Sequence, residues 1–322
     1  MKHVSRIALA VLAATTTALA SAEPAYPSKP VKIIVGYAPG GSADTVARLL
    51  ANRLSIQMGQ SFVVENRPGA ASSIAASGVA RAPADGYTLF LGSNANAINT
   101  TLYKKLTFDI QKDFAPVALV TSFPNVMVVN PALPVKTVGE FIAYAKSHPD
   151  GVNYGSSGIG SSTHLAAEMF KSMAGIKMEH VQYKGSAPAL TDLMAGQVQV
   201  MFDNAPSVLP FIRSGKLRAL AVTSSQPQAF APQVPTVSGA ALPGYEVKSW
   251  YGLFAPARTP PAIVNALNQQ INAALQEASV RGNLAALGAS PEGGMPEAMR
   301  KHLGQEVTKW AAVIRSSGVT AE

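Results

Sequence analysis

The hydrophobic pattern of the chain alternates between two periods along most of its length. Short runs are apolar on both faces, for example VKIIV at 31–35 and VQVMF at 198–202. This pattern is typical of strands that are covered by helices on both sides. Stretches with the helical spacing of apolar residues lie between them. This alternation predicts an α/β fold built from βαβ units with mostly parallel sheets. The predicted strands are 31–35, 62–66, 87–92, 116–120, 125–130, 152–155, 179–183, 198–202, 217–222 and 250–255, and the predicted helices include 43–58, 137–147, 163–174 and 187–195.

Two places in this pattern look like crossings between two lobes. The stretch 116–130 contains two strand patterns almost back to back, interrupted near Pro124. The strand at 217–222 leads into a connection rich in Pro and Ser. From Pro260 onward no strand pattern is evident, so helices are expected to close the fold. The predicted organisation is a discontinuous first domain of residues 23–124 and 226–322, with residues 125–225 inserted as a second domain.

The first residues have the layout of a secretory signal peptide. Lys2 and Arg6 precede an apolar run, and Ala20 and Ala22 mark a small-x-small cleavage site before Glu23. The apolar run is shorter than the roughly 20 residues that a membrane-spanning helix needs. We therefore expect cleavage after Ala22 and a soluble protein in the periplasm.

The charge and the cysteine content exclude several classes of function. The formal net charge is +8, and cleavage of the leader removes two of the positive charges. The positive residues are scattered without long blocks, which argues against a nucleic-acid-binding patch. The chain has no cysteine, so it uses neither disulfides nor Cys-ligated metal. Its histidines show no metal-binding spacing, and we expect neither a metal nor a cofactor.

The first predicted strand leads into a Gly-rich turn, GYAPGGSAD at 36–44. Gly36 and Gly41 have the spacing of a phosphate-binding loop, but the lysine of such a loop is absent. Because Gly40 and Gly41 have no Cβ atoms, a ligand could approach the first N–H groups of the following helix, with Ser42 as its N-cap. The alternative interpretation is an ordinary strand-to-helix turn.

A second loop, YGSSGIGSSTH at 154–164, repeats the arrangement. A strand ends at Tyr154, and a helix is expected to begin near Ser162 with His164 in its first turn. The loop matches neither the dinucleotide-binding pattern G-x-G-x-x-G nor the nucleophile elbow G-x-S-x-G. Two such loops, one in each lobe, predict two helix N-termini facing one cleft. Backbone amides and helix dipoles can bind a carboxylate there without a cationic side chain.

Other polar residues carry two interpretations each. Asp203, at the end of a buried strand, either contacts a ligand or caps the next helix. Asn94, with Ser93 and Asn96 beside it, offers either ligand contacts or turn and cap contacts. The pair of His164 and Glu168 could form half of a metal site, but a first-turn polar residue and a solvated glutamate explain it more simply. A secreted α/β hydrolase using a serine of the 155–163 loop is the alternative function.

Several segments resemble the periplasmic receptors of tripartite tricarboxylate transporters, often called Bug receptors, from about Tyr26 to near the C-terminus. The resemblance implies a two-lobed periplasmic-binding-protein fold of the Venus flytrap type, without enzymatic activity. It also implies a monomer that captures a carboxylated solute and delivers it to membrane permease subunits, with some members acting as sensors. These receptors use one scaffold for dicarboxylates, tricarboxylates, amino acids and aromatic acids. The matching segments are YPSKPVKIIVGYAPGGSADTVARLLANRLSIQMGQSFVVENRPGA, ADGYTLFLGS, LYKKLTFDIQKDFAPVALV, HVQYKGSAPALTDLMAGQVQVMFDN, GKLRALAVTS, PTVSGAALPGYEVKSWYGLFAPARTP and KWAAVIRSSG.

The resemblance also suggests which residues contact the ligand. The turn 38–41 with Ser42 resembles the wall of the first lobe, and the loop with its helix start at 160–164 resembles the wall of the second. One segment departs from the family, since Ala71, Ser72 and Ser73 follow ENRPGA where a Gly-Gly pair is usual. The candidate ligand-binding residues are Tyr37, Gly40, Gly41, Ser42, Asn94, Ser156, Ser157, Gly160, Thr163, His164 and Asp203.

Overall fold

The computed structural model describes residues 26–317 and 319–320, and the predicted signal peptide lies outside these residues. Strands and helices alternate along the chain, so the predicted α/β class is confirmed. No described helix is both long enough and apolar enough to cross a membrane. The strands are β1 (Val31–Val35), β2 (Phe62–Asn66), β3 (Thr88–Ser93), β4 (Phe114–Val129), β5 (Asn153–Ser156), β6 (Glu179–Gln182), β7 (Val200–Asn204), β8 (Arg218–Val222), β9 (Lys248–Pro256) and β10 (Ser290–Gly293). The helices are α1 (Ser42–Met58), α2 (Ser73–Ala80), α3 (Asn94–Leu102), α4 (Val138–Ser147), α5 (Ser162–Ala174), α6 (Ser186–Met194), α7 (Ala205–Arg213), α8 (Val237–Ala240), α9 (Pro261–Gln276), α10 (Ala278–Ala286) and α11 (Pro296–Ser317).

The sheet is mixed, where the alternation predicted mostly parallel strands. Its strand order is β2-β1-β3-β9-β4-β7-β5-β6, and β8 and β10 also pair with β4. The pairs of β1 with β2 and β3, and of β5 with β6 and β7, are parallel. The pairs that include β4 or β9 are antiparallel. Of these two strands, β4 continues into the second half of the sheet, where it pairs with β7 and β8.

One long strand occupies the region where two short strands were predicted. β4 continues through Pro124, which was taken as a break because proline donates no ladder hydrogen bond. The strand changes partners at this point. Residues up to Pro124 pair with β9, whereas the residues from Asn125 onward pair with β7 and β8. Pro124 is tolerated because it lies at the point where β4 changes from one set of partner strands to the other.

The C-terminal region contains a strand that the pattern did not predict. β10, with the sequence SPEG, has little intrinsic strand preference, and its pairing with β4 holds it in place. Thr121 Oγ1 donates to Ser290 O at 2.6 Å in this pairing. α11 follows and packs against α3 and β4. Its Glu306 Oε2 accepts hydrogen bonds from the indoles of Trp250 and Trp310, at 2.9 and 3.0 Å.

The division into two domains stays a prediction, which the pairing of the strands supports at one boundary. β4 leaves one half of the sheet and enters the other at Pro124 and Asn125. The segment after β8 stays beside the second half, because Val222 bridges to Thr236 and Tyr245 OH donates to Ala166 O. We therefore propose that the return crossing lies at the start of β9, later than residue 225.

Candidate ligand-binding cleft

Five helices begin at one cavity between the two halves of the sheet. α1, α3, α5 and α6 each contribute their first residue to its wall, namely Ser42, Asn94, Ser162 and Ser186. Asn204, the N-cap residue of α7, supplies the fifth. Each helix N-terminus carries a partial positive charge of about half a unit. None of the described side chains that line this cavity is charged, so the positive potential at its wall comes from the helix termini.

The first N–H groups at two of these termini are open to a ligand. No described residue accepts a hydrogen bond from the N–H groups of Gly41, Ala43 or Ser162, and all three residues line the cavity. The neighbouring N–H group of Gly40 already has a partner, because it donates to Asp44 Oδ2 at 3.0 Å. The unoccupied groups come from both halves of the molecule, so an anion between them would be held from two sides.

The two walls are nearly in contact. The cavity has a volume of about 10 Å³, which is room for about one water molecule. Hydrogen bonds close the gap, because Asn204 Nδ2 donates to Ser42 Oγ at 2.9 Å and Ser42 N–H donates to Ser207 Oγ at 2.9 Å. The hydroxyl of Tyr251 lies 2.6 Å from Ser42 Oγ. A carboxylate can enter only if these walls separate and exchange their mutual hydrogen bonds for bonds to the ligand.

About half of the candidate residues line this cavity. Polar groups from β9 complete the wall, and these were not among the candidates. The candidates that line the cavity are Tyr37, Gly41, Ser42, Asn94 and Ser157. The lining residues outside the candidate set are Ala43, Ser93, Ser161, Ser162, Ser186, Asn204, Ser249 and Tyr251. Contact of any of them with a ligand stays a prediction.

The α1 turn differs from its expected geometry by one residue. Gly41, with φ −84° and ψ 177°, is the N-cap, and Ser42 is the first helical residue. Ser42 Oγ therefore contacts Tyr251 and Asn204 across the cleft and caps no helix. The residue that needs left-handed backbone is Gly40, with φ 84°. Gly40 does not line the cavity and serves the turn.

Four candidate residues support the second wall from behind. The hydroxyl of Thr163 accepts from Ser157 N–H at 2.8 Å, which fixes the start of the loop. Gly160 has φ 86°, and a Cβ there would lie 2.2 Å from Asn99 Oδ1, so only glycine fits. Gly160 N–H donates to Nδ1 of His164 at 3.3 Å. The fourth residue, Ser156, is fully buried.

Ser156 lies beside a histidine, which bears on the hydrolase alternative. Its Oγ is 2.6 Å from His180 Nε2 and also accepts from Gly158 N–H at 3.1 Å. His180 stacks on His164 with ring centroids 4.3 Å apart. Burial lowers the pKa of His180 to about 4 and that of His164 to about 3. A serine buried completely next to such a weak base is a poor nucleophile.

Glu168 does not form a metal half-site with His164. It accepts a hydrogen bond from Tyr154 OH and pairs with Lys171 Nζ at 2.7 Å. Its side chain is only 15% exposed, so the expectation of a solvated glutamate was wrong. The described residues contain no cluster of three side chains that could hold a metal.

Asp203 lies behind the cavity on β7 and is fully buried. Its Oδ1 accepts from Ser186 Oγ and from Asn204 N–H, both at 2.7 Å. Ser186 Oγ lies in turn 3.1 Å from Ser157 Oγ at the cavity wall. Burial raises the pKa of Asp203 to about 6. Asp203 therefore acts on the cavity through the hydroxyl group of Ser186. This hydrogen-bonded bridge replaces the alternative interpretation, in which Asp203 caps the next helix.

The two asparagines of the third loop have different surroundings. Asn96 Oδ1 accepts from Ser93 N–H at 2.9 Å, so Asn96 caps α3. Asn94 lines the cavity, and its Nδ2 has no hydrogen-bond partner among the described residues. Because a buried amide group without a partner is costly, Asn94 is well placed to donate to a ligand.

Comparisons with known proteins agree on one family. The profile of the family described as "Tripartite tricarboxylate transporter family receptor" matches residues 46–319. The protein BugT of Bordetella pertussis is 39% identical over 91% of this chain and 90% of its own length. The structure of R. palustris Rpa4515 with adipate is 41% identical, with a TM-score of 0.88 over 92% of this chain and 99% of that one. MatC (Rpa3494) of Rhodopseudomonas palustris with bound malate is 35% identical, with a TM-score of 0.86 over 90% and 100%.

Proposed function

Because the chain belongs to the receptor family of tripartite tricarboxylate transporters, we propose that it captures a small carboxylated solute between its two halves. It would act in the periplasm as a monomer and without catalysis, and deliver the solute to the permease subunits of such a transporter. Similar receptors have been determined with adipate and with malate. The observation that carries the proposal is the convergence of five helix N-termini on a cavity with no charged side chain.

The energetics of this site suit a ligand that must be released again. A hydrogen bond to a charged group contributes about 1.5–3 kcal/mol, whereas a bond between neutral groups contributes only about 0.5–1.5. It is therefore favourable to exchange the neutral hydrogen bonds across the cleft for hydrogen bonds to a carboxylate. The donors of the new bonds are the N–H groups of Gly41, Ala43 and Ser162. Micromolar binding needs about 8 kcal/mol, which three such bonds with their helix dipoles can supply.

Removal of one backbone donor tests the proposal directly. Ala43→Pro deletes an N–H group at the second position of α1, where the helix itself does not use it. Gly139→Pro is the matched control, since it lies at the same position of α4 and a side chain there meets open space. Calorimetric titration of a carboxylate panel against the corresponding amides should show binding of carboxylates alone. Ala43→Pro should weaken it about tenfold or more, and Gly139→Pro should not.

The same panel tests the absence of catalysis. Ligands should be recovered unchanged after long incubation, and activated esters should not be hydrolysed. Ester hydrolysis that disappears in Ser156→Ala would support the hydrolase alternative. Failure of every carboxylate to raise the melting temperature would contradict the receptor proposal, since a ligand at 100 times its dissociation constant adds about 2.7 kcal/mol.

A further inference from the structure

Two histidines lie behind the second wall of the cleft, which is formed by residues 156–162 where β5 leads into α5. His164 belongs to the first turn of α5, and His180 lies on β6 beside Tyr154 of β5. The three rings form one stack. The centroid of the His180 ring lies 4.8 Å from that of Tyr154 and 4.3 Å from that of His164. Neither histidine lines the cleft cavity, so any effect on a ligand passes through the wall.

Each histidine ring accepts a hydrogen bond from the second wall. Gly160 N–H donates to Nδ1 of His164 at 3.3 Å. Ser156 Oγ accepts from Gly158 N–H at 3.1 Å and lies 2.6 Å from Nε2 of His180. Because a hydroxyl group has one proton of its own, Ser156 donates that proton to His180. His180 is therefore neutral with its proton on Nδ1, and His164 is neutral with its proton on Nε2.

The surroundings of the two rings oppose a positive charge on them. Burial is the largest cause that lowers the pKa of His164 and His180, and Lys171 of α5 lowers both further. Glu168 favours a charge on His180, but its carboxylate already pairs with Lys171 at 2.7 Å. The other titratable groups that the neighbouring elements present are Tyr154 of β5, Glu179 of β6 and Tyr103 after α3.

Protonation of either ring would disturb the wall. An imidazolium ring has a donor at each nitrogen and no acceptor. The Nδ1–H group of a protonated His164 would face Gly160 N–H, which is also a donor, and their hydrogen bond would be lost. A protonated His180 would reverse its hydrogen bond with Ser156. Two positive rings with centroids 4.3 Å apart would also repel each other.

The segment that these rings hold carries both ligand-facing groups and a contact between the two halves. Ser157, Ser161 and Ser162 line the cleft cavity, and the Ser162 N–H group is one of its unoccupied donors. Ile159 O accepts a hydrogen bond from Tyr103 OH, at 3.0 Å, from the first half of the molecule. A displacement of this segment therefore moves a ligand donor and loosens the closed cleft.

We propose that His164 and His180 are positioning residues, which hold the second wall in the geometry for ligand capture only while both rings are neutral. The inference rests on the proposed function. The two histidines act through Gly160 and Ser156, and neither touches the ligand. Because protonation competes with capture, affinity is complete near neutral pH and falls as the pH approaches 4, the pKa of His180.

Variants with a matched acceptor separate positioning from packing. His180→Gln places an amide oxygen near the position of Nε2, and His164→Asn places one near that of Nδ1. His180→Leu and His164→Leu fill the space without an acceptor. Calorimetric titration at pH 7.5 with adipate, malate and the rest of the carboxylate panel should show about three- to tenfold weaker binding by the Leu variants. The Gln and Asn variants should bind like the wild type, as should the control His148→Leu, since His148 is exposed and bonds only at the end of α4.

A pH series gives a readout that packing alone does not move. The wild-type protein is compared with the double variant His164→Asn, His180→Gln, which has no titrating ring behind the wall. The ratio of their affinities at each pH cancels the ionisation of the ligand. Relative to the variant, wild-type affinity should stay constant from pH 8 to pH 6. It should fall about twofold at pH 4, where a ring with a pKa of about 4 is half protonated.

Nitrogen-15 NMR spectra of the histidine rings supply a readout that needs no ligand. At pH 7 they should show the proton of His180 on Nδ1 and that of His164 on Nε2. A proton on His180 Nε2 or on His164 Nδ1 overturns the inference, as does an affinity ratio that stays constant down to pH 4. If a Leu variant does not fold, the spectra and the pH series of the folded proteins decide.

Folded Leu variants with wild-type affinity also overturn the inference. They leave the receptor function standing, because wild-type binding of carboxylates is measured in the same titrations. Failure of the wild-type protein to bind any carboxylate at pH 7.5 contradicts the receptor function as well.

Discussion

Asp203 connects the stability of the protein to pH. Its carboxyl group is fully buried, and burial raises its pKa from 3.8 to about 6. Oδ1 has two donors, but Oδ2 has no hydrogen-bond partner among the described residues. The ionised form is therefore poorly compensated in the folded protein. Replacement by asparagine keeps the shape and the Oδ1 acceptor while it removes the titration.

The sign of the effect follows from proton binding. Between about pH 4 and pH 6 the folded protein holds a proton on Asp203 that the unfolded chain has released, so stability falls as the pH rises. A difference of about two pKa units corresponds to about 3 kcal/mol once the pH exceeds both values. The Asp203→Asn variant does not lose stability in this way, because its amide group does not titrate. We therefore expect the free energy of unfolding of the variant, minus that of the wild type, to increase by about 2.4 kcal/mol from pH 4 to pH 8.

Urea unfolding at a series of pH values measures this difference. Other titrating groups are shared by both proteins and cancel in the subtraction, as does any constant cost of the amide group. Asp150→Asn is the control, because Asp150 is exposed. A difference that stays constant across the pH range would refute the argument that Asp203 carries an uncompensated charge in the folded protein.

Two further substitutions test the backbone of the cleft. Gly41→Val should fold normally, because φ is −84° and a Cβ atom there would lie 3.6 Å from the Cβ atom of Ser186. The two methyl groups of the valine side chain should, however, occupy the space of the ligand. Titration should show at least about tenfold weaker carboxylate binding with an unchanged melting curve, and normal affinity would contradict the anion site. Ala71→Gly should stabilise the protein by up to about 1 kcal/mol, because φ of Ala71 is 42° and a left-handed residue costs about 1–2 kcal/mol. Thermal melting measures this effect. Ala51→Gly is the comparison, because Ala51 lies in a helix and its replacement should lower the stability by about 1 kcal/mol. Equal losses of stability in the two variants would refute the prediction.

The sequence predicted the strands best where the local pattern and the tertiary environment agree. β1 and β2 have the predicted bounds, because both are short β-branched runs between clear turns. β4 was divided at Pro124 because sequence spacing does not show that its partners change at that residue. β10 was missed because SPEG becomes a strand only through its neighbour.

The cleft was predictable in the same uneven way. Two strand-to-helix turns with Gly and Ser pointed to α1 and α5, and the same signal in KGSAP, around Ser186, indicates a third. Ser249 and Tyr251 carry no such signal, because they reach the cavity from a strand that pairs at long range. His180 lies on another strand, so its contact with Ser156 was also beyond local reasoning.

The contacts of Glu306 have a spectroscopic consequence. The chain has two tryptophans, Trp250 and Trp310, and both indoles donate to this one carboxylate. Trp250 directly precedes Tyr251, whose hydroxyl lies within hydrogen-bond distance of Ser42 and Asn204 on opposite walls of the cleft. Any separation of those walls that shifts β9 thus changes the surroundings of the same fluorophore pair. Intrinsic fluorescence emission becomes a label-free signal of cleft opening, suited to stopped-flow measurement of ligand capture and release.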